Sequence, residues 1–411
     1  MDRPHWVTRL NYFGAAVGGA AHLVRLDADE MMQVALTTTG LTDFGGGDWE
    51  EPYRRLMASI QAEIRLHTLG RLMTRGDVIR ALRNRLLITD ALRRNPAIAN
   101  ERIEAPVVIA GQGRTGTSIL FELLSLDPHN RAPLAWEAAS PVAPPPASLG
   151  DNVTQGQIAE TVNEFWADVQ PEIKAAHEHR WDLPVECIRF LDSDFTSDWW
   201  AMIYGAFAYL AWRQEAKPDT AYDWHKNVIR LLQFGHPKRR WLWKSPAHLG
   251  ALDKLLARYP DAKIIHTHRD PVKTIPSTVS LSGIMRCSRA DNVDLNLLGQ
   301  MVIMGYGGML RKVIDERAAG IVPRGQIVDS HFLTLMRDPV VAVQRIYAEL
   351  GLEFSGAFAD RIATYLRDKP RDKFGKHRYA AEDYGLTDAA IREQFRFYTD
   401  HYGIELEGAA A

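Results

Sequence analysis

The sequence predicts an α/β fold: a P-loop-type parallel sheet flanked by helices, with an N-terminal helical extension and a helical cap or insertion. Three observations predict it. The apolar, β-branched run Val107-Val108-Ile109-Ala110 breaks into a glycine-rich loop and then into a helical pattern, Ile119-Leu120-Phe121-Glu122-Leu123-Leu124. Strand-like runs alternate with helical stretches, as right-handed crossovers in a parallel sheet require. Three cations, Arg114, Lys244 and Arg269, each follow the carboxyl end of a strand, the edge at which ligands bind such sheets.

Residues 26–100 read as helical. Leu26-Asp27-Ala28-Asp29-Glu30 is a helix start, with an Asp cap and early acids. Residues 51–70 and 76–94 keep helical spacing, and Asn95-Pro96 ends that unit. The arginines between Arg71 and Arg94 read as a solvated helix face or as an anion surface. The first strand is 106–110. Pro141 to Pro146 marks a loop. Residues 152–235 read as mostly helical and are dense in aromatics (Trp199, Trp200, Tyr204, Phe207, Tyr209 and Trp212), either a cap over a pocket or an ordinary helical layer. A strand over Arg240-Trp241-Leu242-Trp243 leads into Lys244-Ser245-Pro246, and a helix comes next, near 248–258. The strand 263–268 ends at Arg269-Asp270-Pro271, where a helix resumes. A further strand at 326–329 precedes a helix at about 338–350. The expected division is a helical extension over 1–102 and an α/β domain over 103–411, with a helical insertion at about 150–236.

Composition sets outer bounds. At 411 residues, the chain forms one large α/β domain with additions or two domains. A hydrophobic content of 46% and a charged content of 24% are ordinary for a globular protein. A net charge of −2 gives no global argument for nucleic acid or membrane binding, so local basic positions must carry any anion site. Two cysteines, Cys187 and Cys287, exclude a disulfide framework and fit a reducing cytoplasm. No Cys/His cluster has zinc spacing, and no metal is expected. No run reaches the roughly 18 apolar residues of a membrane span. Tyr12 to Ala21, after Arg3 and Arg9, has a loose likeness to a signal peptide. It is short, Gly-rich and lacks a clear cleavage site, so a cytoplasmic location is expected. No internal repeat or long low-complexity tract is present, and the chain is compatible with a homo-oligomer.

The loop Gly111-Gln112-Gly113-Arg114-Thr115-Gly116-Thr117-Ser118 carries the chemistry. Glycine lets the backbone approach a ligand, and the unpaired N–H groups and dipole of the next helix then face a phosphate-like group. Gly111 and Gly116 fit the Walker A frame G-x-x-x-x-G-K-(S/T). The Lys position, however, holds Thr117, and the loop's cation is Arg114. An ATP site needs Lys and Mg²⁺ against a highly charged triphosphate. A site without that Lys suits a less charged group. A sulfuryl group is one, held by Arg, Lys and backbone dipoles without metal.

With these residues the chain resembles sulfotransferases that use 3′-phosphoadenosine 5′-phosphosulfate (PAPS), most closely the bacterial, notably mycobacterial, branch. The resemblance is strong over about 105–355. It implies that Gly111 to Ser118 is the 5′-phosphosulfate loop, although many members have Lys where this chain has Arg114. It implies that Arg269 and Ser277, eight residues later, clamp the 3′-phosphate; the alternative is an ordinary strand-to-helix turn. Lys244 matches a Lys that contacts the transferring sulfuryl group. The catalytic His of the cytosolic enzymes, two positions later, is here Pro246. The general base is then Glu137, 23 residues beyond Arg114, at nearly the offset of the base Glu in heparan-type relatives. The alternative is a Glu that pairs with an Arg or caps a helix, and His177, His179 and His248 are the other candidate bases. Lys376-His377-Arg378 is similar to a basic C-terminal loop that closes over PAPS, or is a solvated charge run. Phe332 stands where relatives often have Tyr and reads as packing.

The resemblance implies sulfuryl transfer from PAPS to a hydroxyl acceptor, giving a sulfate ester and 3′-phosphoadenosine 5′-phosphate (PAP). A small molecule, lipid or glycolipid acceptor is expected. The rival readings are a P-loop kinase or nucleotidase, which needs Mg²⁺ ligands and a Walker Lys, and a nucleotide-binding protein without chemistry.

Overall fold

The computed structural model describes residues 3–143, 154–176, 180–215, 221–369 and 379–408. The chain divides into two compact units. The first comprises 1–102, 134–237 and 282–293; the second comprises 103–133, 238–281 and 294–411.

The chain opens with α1 (His5–Ala16), α2 (Ala20–Leu23), α3 (Ala28–Thr39), α4 (Glu50–Glu63) and α5 (Thr68–Arg94). Asp27 caps α3 as its sequence predicts, its carboxylate accepting the Glu30 N–H at 2.8 Å. The helix expected over 51–70 instead stops at Glu63, and 68–94 is one helix. The reason is tertiary. Leu66 forms an antiparallel bridge to Ala290. His67 Nδ1 then accepts the Gly70 N–H at 2.9 Å and starts α5, a capping role outside the usual Ser/Thr/Asp/Asn set. Gly70 lies so close to the Arg289 carbonyl that no Cβ fits there. Most of the α5 arginines are engaged in ion pairs. Arg75 pairs with Glu30, Arg80 with Asp77, and Arg93 and Arg94 with Asp90. Arg85 is buried, paired with Asp194 at 2.9 Å between the rings of Trp49 and Trp224.

After β1 (Val107–Gly111), α6 (Thr117–Ser125) and β2 (Asn130–Arg131), the chain continues in the first unit with α7 (Ala135–Ala139), α8 (Gln155–Val169), α9 (Glu172–Ala176), α10 (Asp198–Tyr204), α11 (Phe207–Glu215) and α12 (Ala221–Gln233). Trp200, Tyr204 and Tyr209 are core residues here: Trp200 stacks on Tyr204 and on Phe195, which packs against Trp49 and Tyr53, and the Tyr209 hydroxyl donates to the Phe195 carbonyl. The helical-layer reading of these aromatics holds for that trio.

The remaining elements are β3 (Arg240–Lys244), α13 (Leu252–Arg258), β4 (Lys263–His268), α14 (Pro271–Cys287), α15 (Leu295–Ala318), β5 (Ile327–His331), α16 (Phe332–Arg337), α17 (Pro339–Glu349), α18 (Gly356–Asp368) and α19 (Asp388–Tyr402). The strands form one parallel sheet in the order β2-β3-β1-β4-β5. The expected strands are present, while β2, only two residues long, carries no sequence signal. Period-two alternation sends Val107 and Ile109 to one face, where Leu120, Phe121, Val343, Ile346 and Phe358 close a dry core. Because β1 lies between β3 and β4, Lys244 and Arg269 flank the loop that leaves β1.

Candidate active site

The loop is shaped by its glycines. Gly111 approaches Thr267 too closely for a Cβ. Gly116, at φ 88°, is the N-cap of α6, and a Cβ there would stand 2.8 Å from the Phe332 ring. Arg114 is also left-handed, at φ 70°, which costs a side-chain-bearing residue about 1 kcal/mol and marks the loop as held by its surroundings. Thr115 Oγ1 donates to the Gln112 carbonyl at 2.6 Å and lies 2.6 Å from Thr267 Oγ1, tying the loop to β4. The Gly113 N–H donates to the Tyr306 hydroxyl at 3.1 Å, and that hydroxyl is 3.1 Å from Thr278 Oγ1. Among the described residues, neither polar atom of the buried Gln112 amide has a hydrogen-bond partner.

The cations predicted from sequence meet at this edge. Arg114 Nε donates to Ser277 Oγ at 2.9 Å, and Arg269 Nη1 donates to the Arg114 carbonyl at 3.2 Å. Burial pulls the Arg114 pKa below its usual value; Tyr379 opposes this and Arg269 adds to it. The Arg269 guanidinium lies 3.8 Å from the centre of the Phe332 ring, so Phe332 does pack, and what it packs against is the arginine. Lys244 is buried at the end of β3 beside Ile109 of β1.

Arg269 already holds an oxyanion. Its Nε and Nη2 donate to the two carboxylate oxygens of Glu407, at 2.7 and 3.0 Å. Glu407 is fixed by its own backbone: its N–H donates to Asp270 Oδ2 at 2.7 Å, and its carbonyl accepts from Arg392 at 3.3 Å. Asp270 Oδ1 also takes the Val272 N–H at 3.0 Å in the first turn of α14. Tyr306, Glu407 and Arg392 escape sequence reasoning because each reaches the site from a distant segment. The one local hint is Gly305-Tyr306-Gly307-Gly308, a lone aromatic among helix-interior glycines.

Glu137 lies in the first unit, on α7. It is buried, and its Oε2 accepts the Leu134 N–H at 2.9 Å. The helix-capping role is therefore realised. His248 is buried on the turn after Lys244. His177, His179, Lys376, His377 and Arg378 lie outside the described residues.

A second titratable cluster, built on β4 and β5, has no counterpart in the sequence reading. His268 Nε2 lies 2.9 Å from Asp329 and Nδ1 3.0 Å from the Tyr398 hydroxyl. With Nε2–H donating to the carboxylate, Nδ1 accepts from Tyr398. Three potential ligand atoms of His266, His268 and Asp329 fall within 4.8 Å of one another. Arg317, however, spans both Asp329 oxygens at 2.7 and 2.9 Å and supplies the positive charge a cation would bring. Burial opposes Asp329 ionisation, but hydrogen bonds from His268 and Arg317 outweigh it and hold the pKa far below the usual range. Burial pushes His268 down to about 4 and His266 well below its usual value. Both rings are neutral in the fold. The His268 contribution to stability is complete above pH ~6.5 and is lost as pH falls from there toward about 4, because over that window the unfolded chain takes the proton first; His266 acts with the same sign. Ring ¹H–¹³C spectra of His266 and His268 are expected to stay constant between pH ~7.5 and ~5; a midpoint near ~6.5, the ordinary histidine value, would contradict this assignment.

Residues 106–356 match the family model described as "Sulfotransferase family". The chain belongs to the sulfotransferase family. This sulfotransferase is 24% identical over 305 residues to omega-hydroxy-beta-dihydromenaquinone-9 sulfotransferase Stf3 of Mycobacterium bovis, covering 74% of this chain and 76% of the relative. Its fold superposes on sulfotransferase STF1 from Mycobacterium tuberculosis with a TM-score of 0.78 at 27% identity, covering 90% of this chain and 98% of that one. STF9 from Mycobacterium avium superposes with a TM-score of 0.77 at 24% identity, covering 93% and 98%. Family membership favours sulfuryl transfer over the kinase reading. Among the described residues, no helix of this sulfotransferase is long and apolar enough to cross a membrane.

Proposed function

We propose that this enzyme takes its sulfuryl group from PAPS and passes it in line to a hydroxyl acceptor, in the cytoplasm and without metal. The observation that carries the reading is the meeting of Arg114, Ser277 and Arg269 at the carboxyl edge of β1 and β4, where Arg269 already binds a carboxylate through a two-point fork. A phosphate presents the same oxygen pair to guanidinium.

PAPS supplies the sulfuryl group and departs as PAP. The N–H groups from Gly111 to Ser118 hold the 5′-phosphosulfate at the α6 N-terminus. The Gln112 amide, without a partner among the described residues, gives that loop a further polar contact. Arg269 and Ser277 hold the 3′-phosphate and select PAPS over nucleotides lacking it. Lys244 and Arg114 offset charge growing on the sulfuryl and bridging oxygens. Glu137 accepts the acceptor's proton, and Lys376, His377 and Arg378 close over the nucleotide. The acceptor is a hydrophobic alcohol, in line with the menaquinone-derived lipid in the relative's name.

The direct test supplies ³⁵S-labelled PAPS with long-chain alcohols and hydroxylated isoprenoid quinones in the presence of a chelator. Label in the lipid product supports the reading. Label retained in PAPS, with transfer from ATP only when Mg²⁺ is added, refutes it. The ion pair with Glu407 adds a second expectation. An incoming 3′-phosphate must take the Arg269 fork from this carboxylate. Glu407→Gln is therefore expected to tighten PAP binding by about fivefold. Weaker binding would mean that the carboxylate positions Arg269 instead.

A further inference from the structure

The first unit carries an exposed aromatic face on α1. Val7 and Gly14 turn inward, and Gly14 meets Thr68 of α5 too closely for a Cβ. Asn11 Oδ1 accepts the Leu69 N–H at 3.1 Å. These contacts fix the roll of the helix. The opposite face presents Trp6, Arg9, Tyr12, Phe13 and Ala16, within an arc of about 120° at 3.6 residues per turn. Trp6 is 42% exposed, Tyr12 71% and Phe13 58%. Val17 and Leu23, beyond the end of α1, are 46% and 42% exposed. Scattered apolar residues on a surface are ordinary, but a contiguous aromatic face signals a binding surface.

The charge pattern indicates what that surface meets. Between Asp2 and Asp27 the sequence contains Arg3, His5, Arg9, His22 and Arg25 and no Asp or Glu; Arg3 is paired with Asp291, so the exposed guanidinium groups of this stretch are those of Arg9 and Arg25. His5, Arg9, His22 and Arg25 are exposed. Of the acids that come next, Asp27 caps α3, Asp29 pairs with Arg54 and Glu30 pairs with Arg75. Aromatic rings beside arginines, with no acid on α1 or α2, match the interface of an anionic bilayer. There, rings settle at headgroup depth and guanidinium groups meet phosphate. At 12 residues, α1 is too short to span a bilayer and is suited to lie in its plane.

We infer that α1 is an in-plane docking helix for anionic phospholipid membranes. The inference does not depend on PAPS being the donor, because no residue of the nucleotide site takes part. The test is flotation of the full chain with vesicles of equal parts phosphatidylglycerol and phosphatidylcholine, against phosphatidylcholine alone. Binding is expected to the anionic vesicles and to fall steeply at about 1 M salt, where screening acts within ~3 Å. Arg9→Glu is expected to weaken it by at least about fivefold, and the double change Tyr12→Ser, Phe13→Ser by more. The thermal midpoint of both variants should match wild type, which establishes that they fold. Wild type that fails to float, or variants that float equally well, would overturn the inference. So would a concentration-dependent dimer, seen by light scattering, that the double variant abolishes, since the face would then belong to a second copy of this chain.

Discussion

Lys244→Ala is expected to lower kcat by about 10²–10³ while PAP affinity changes little. Lys244 ends β3, one strand from the loop, and is buried. A fixed ammonium in a dry site needs no reorganisation when charge develops, and the loss of one such donor typically costs that much. The split between turnover and nucleotide affinity is the informative part. A merely structural lysine would weaken both together with the thermal midpoint. Stopped-flow turnover and calorimetry on one preparation separate the two outcomes.

Glu137→Gln is expected to lower kcat by about 10²–10⁴, the usual worth of a general base, with unchanged stability. The substitution is chosen for the cap. Glu137 accepts the Leu134 N–H, and an amide oxygen still accepts that bond while it no longer takes a proton. If capping is the residue's whole role, Glu137→Gln retains near-wild-type turnover, and only Glu137→Ala shows a loss, through destabilisation of about 1 kcal/mol.

The contrast between Arg269 and Glu407 defines what was legible in the sequence. Arg269, Ser277, Lys244 and the Gly111–Ser118 loop lie where strands end and helices begin, and local apolar runs and glycines reveal such junctions. Glu407 reaches the same site from residues far along the chain, and Tyr306 from the middle of a long helix; no local pattern announces either. The same distinction holds for the fold. The Asp27 cap is set by its neighbours in sequence. The break between α4 and α5 depends on Leu66 pairing with Ala290 and on a histidine serving as a cap. Glu137 and the α5 arginines show a third case. Residue type and spacing allowed two roles for each, and only partners such as the Leu134 N–H, Asp90 and Asp194 show what these side chains contact.

The central claim is that this edge of the sheet is a metal-free site for a 3′-phosphorylated nucleotide. The measurement that tests it most directly is calorimetric titration of wild type and Arg269→Ala with PAP in the presence of a chelator. The account predicts micromolar binding to wild type and a loss of about a hundredfold in the variant, the worth of a two-point charged contact. Equal binding by the two proteins, or no binding of PAP alongside Mg²⁺-dependent binding of ATP, would contradict it.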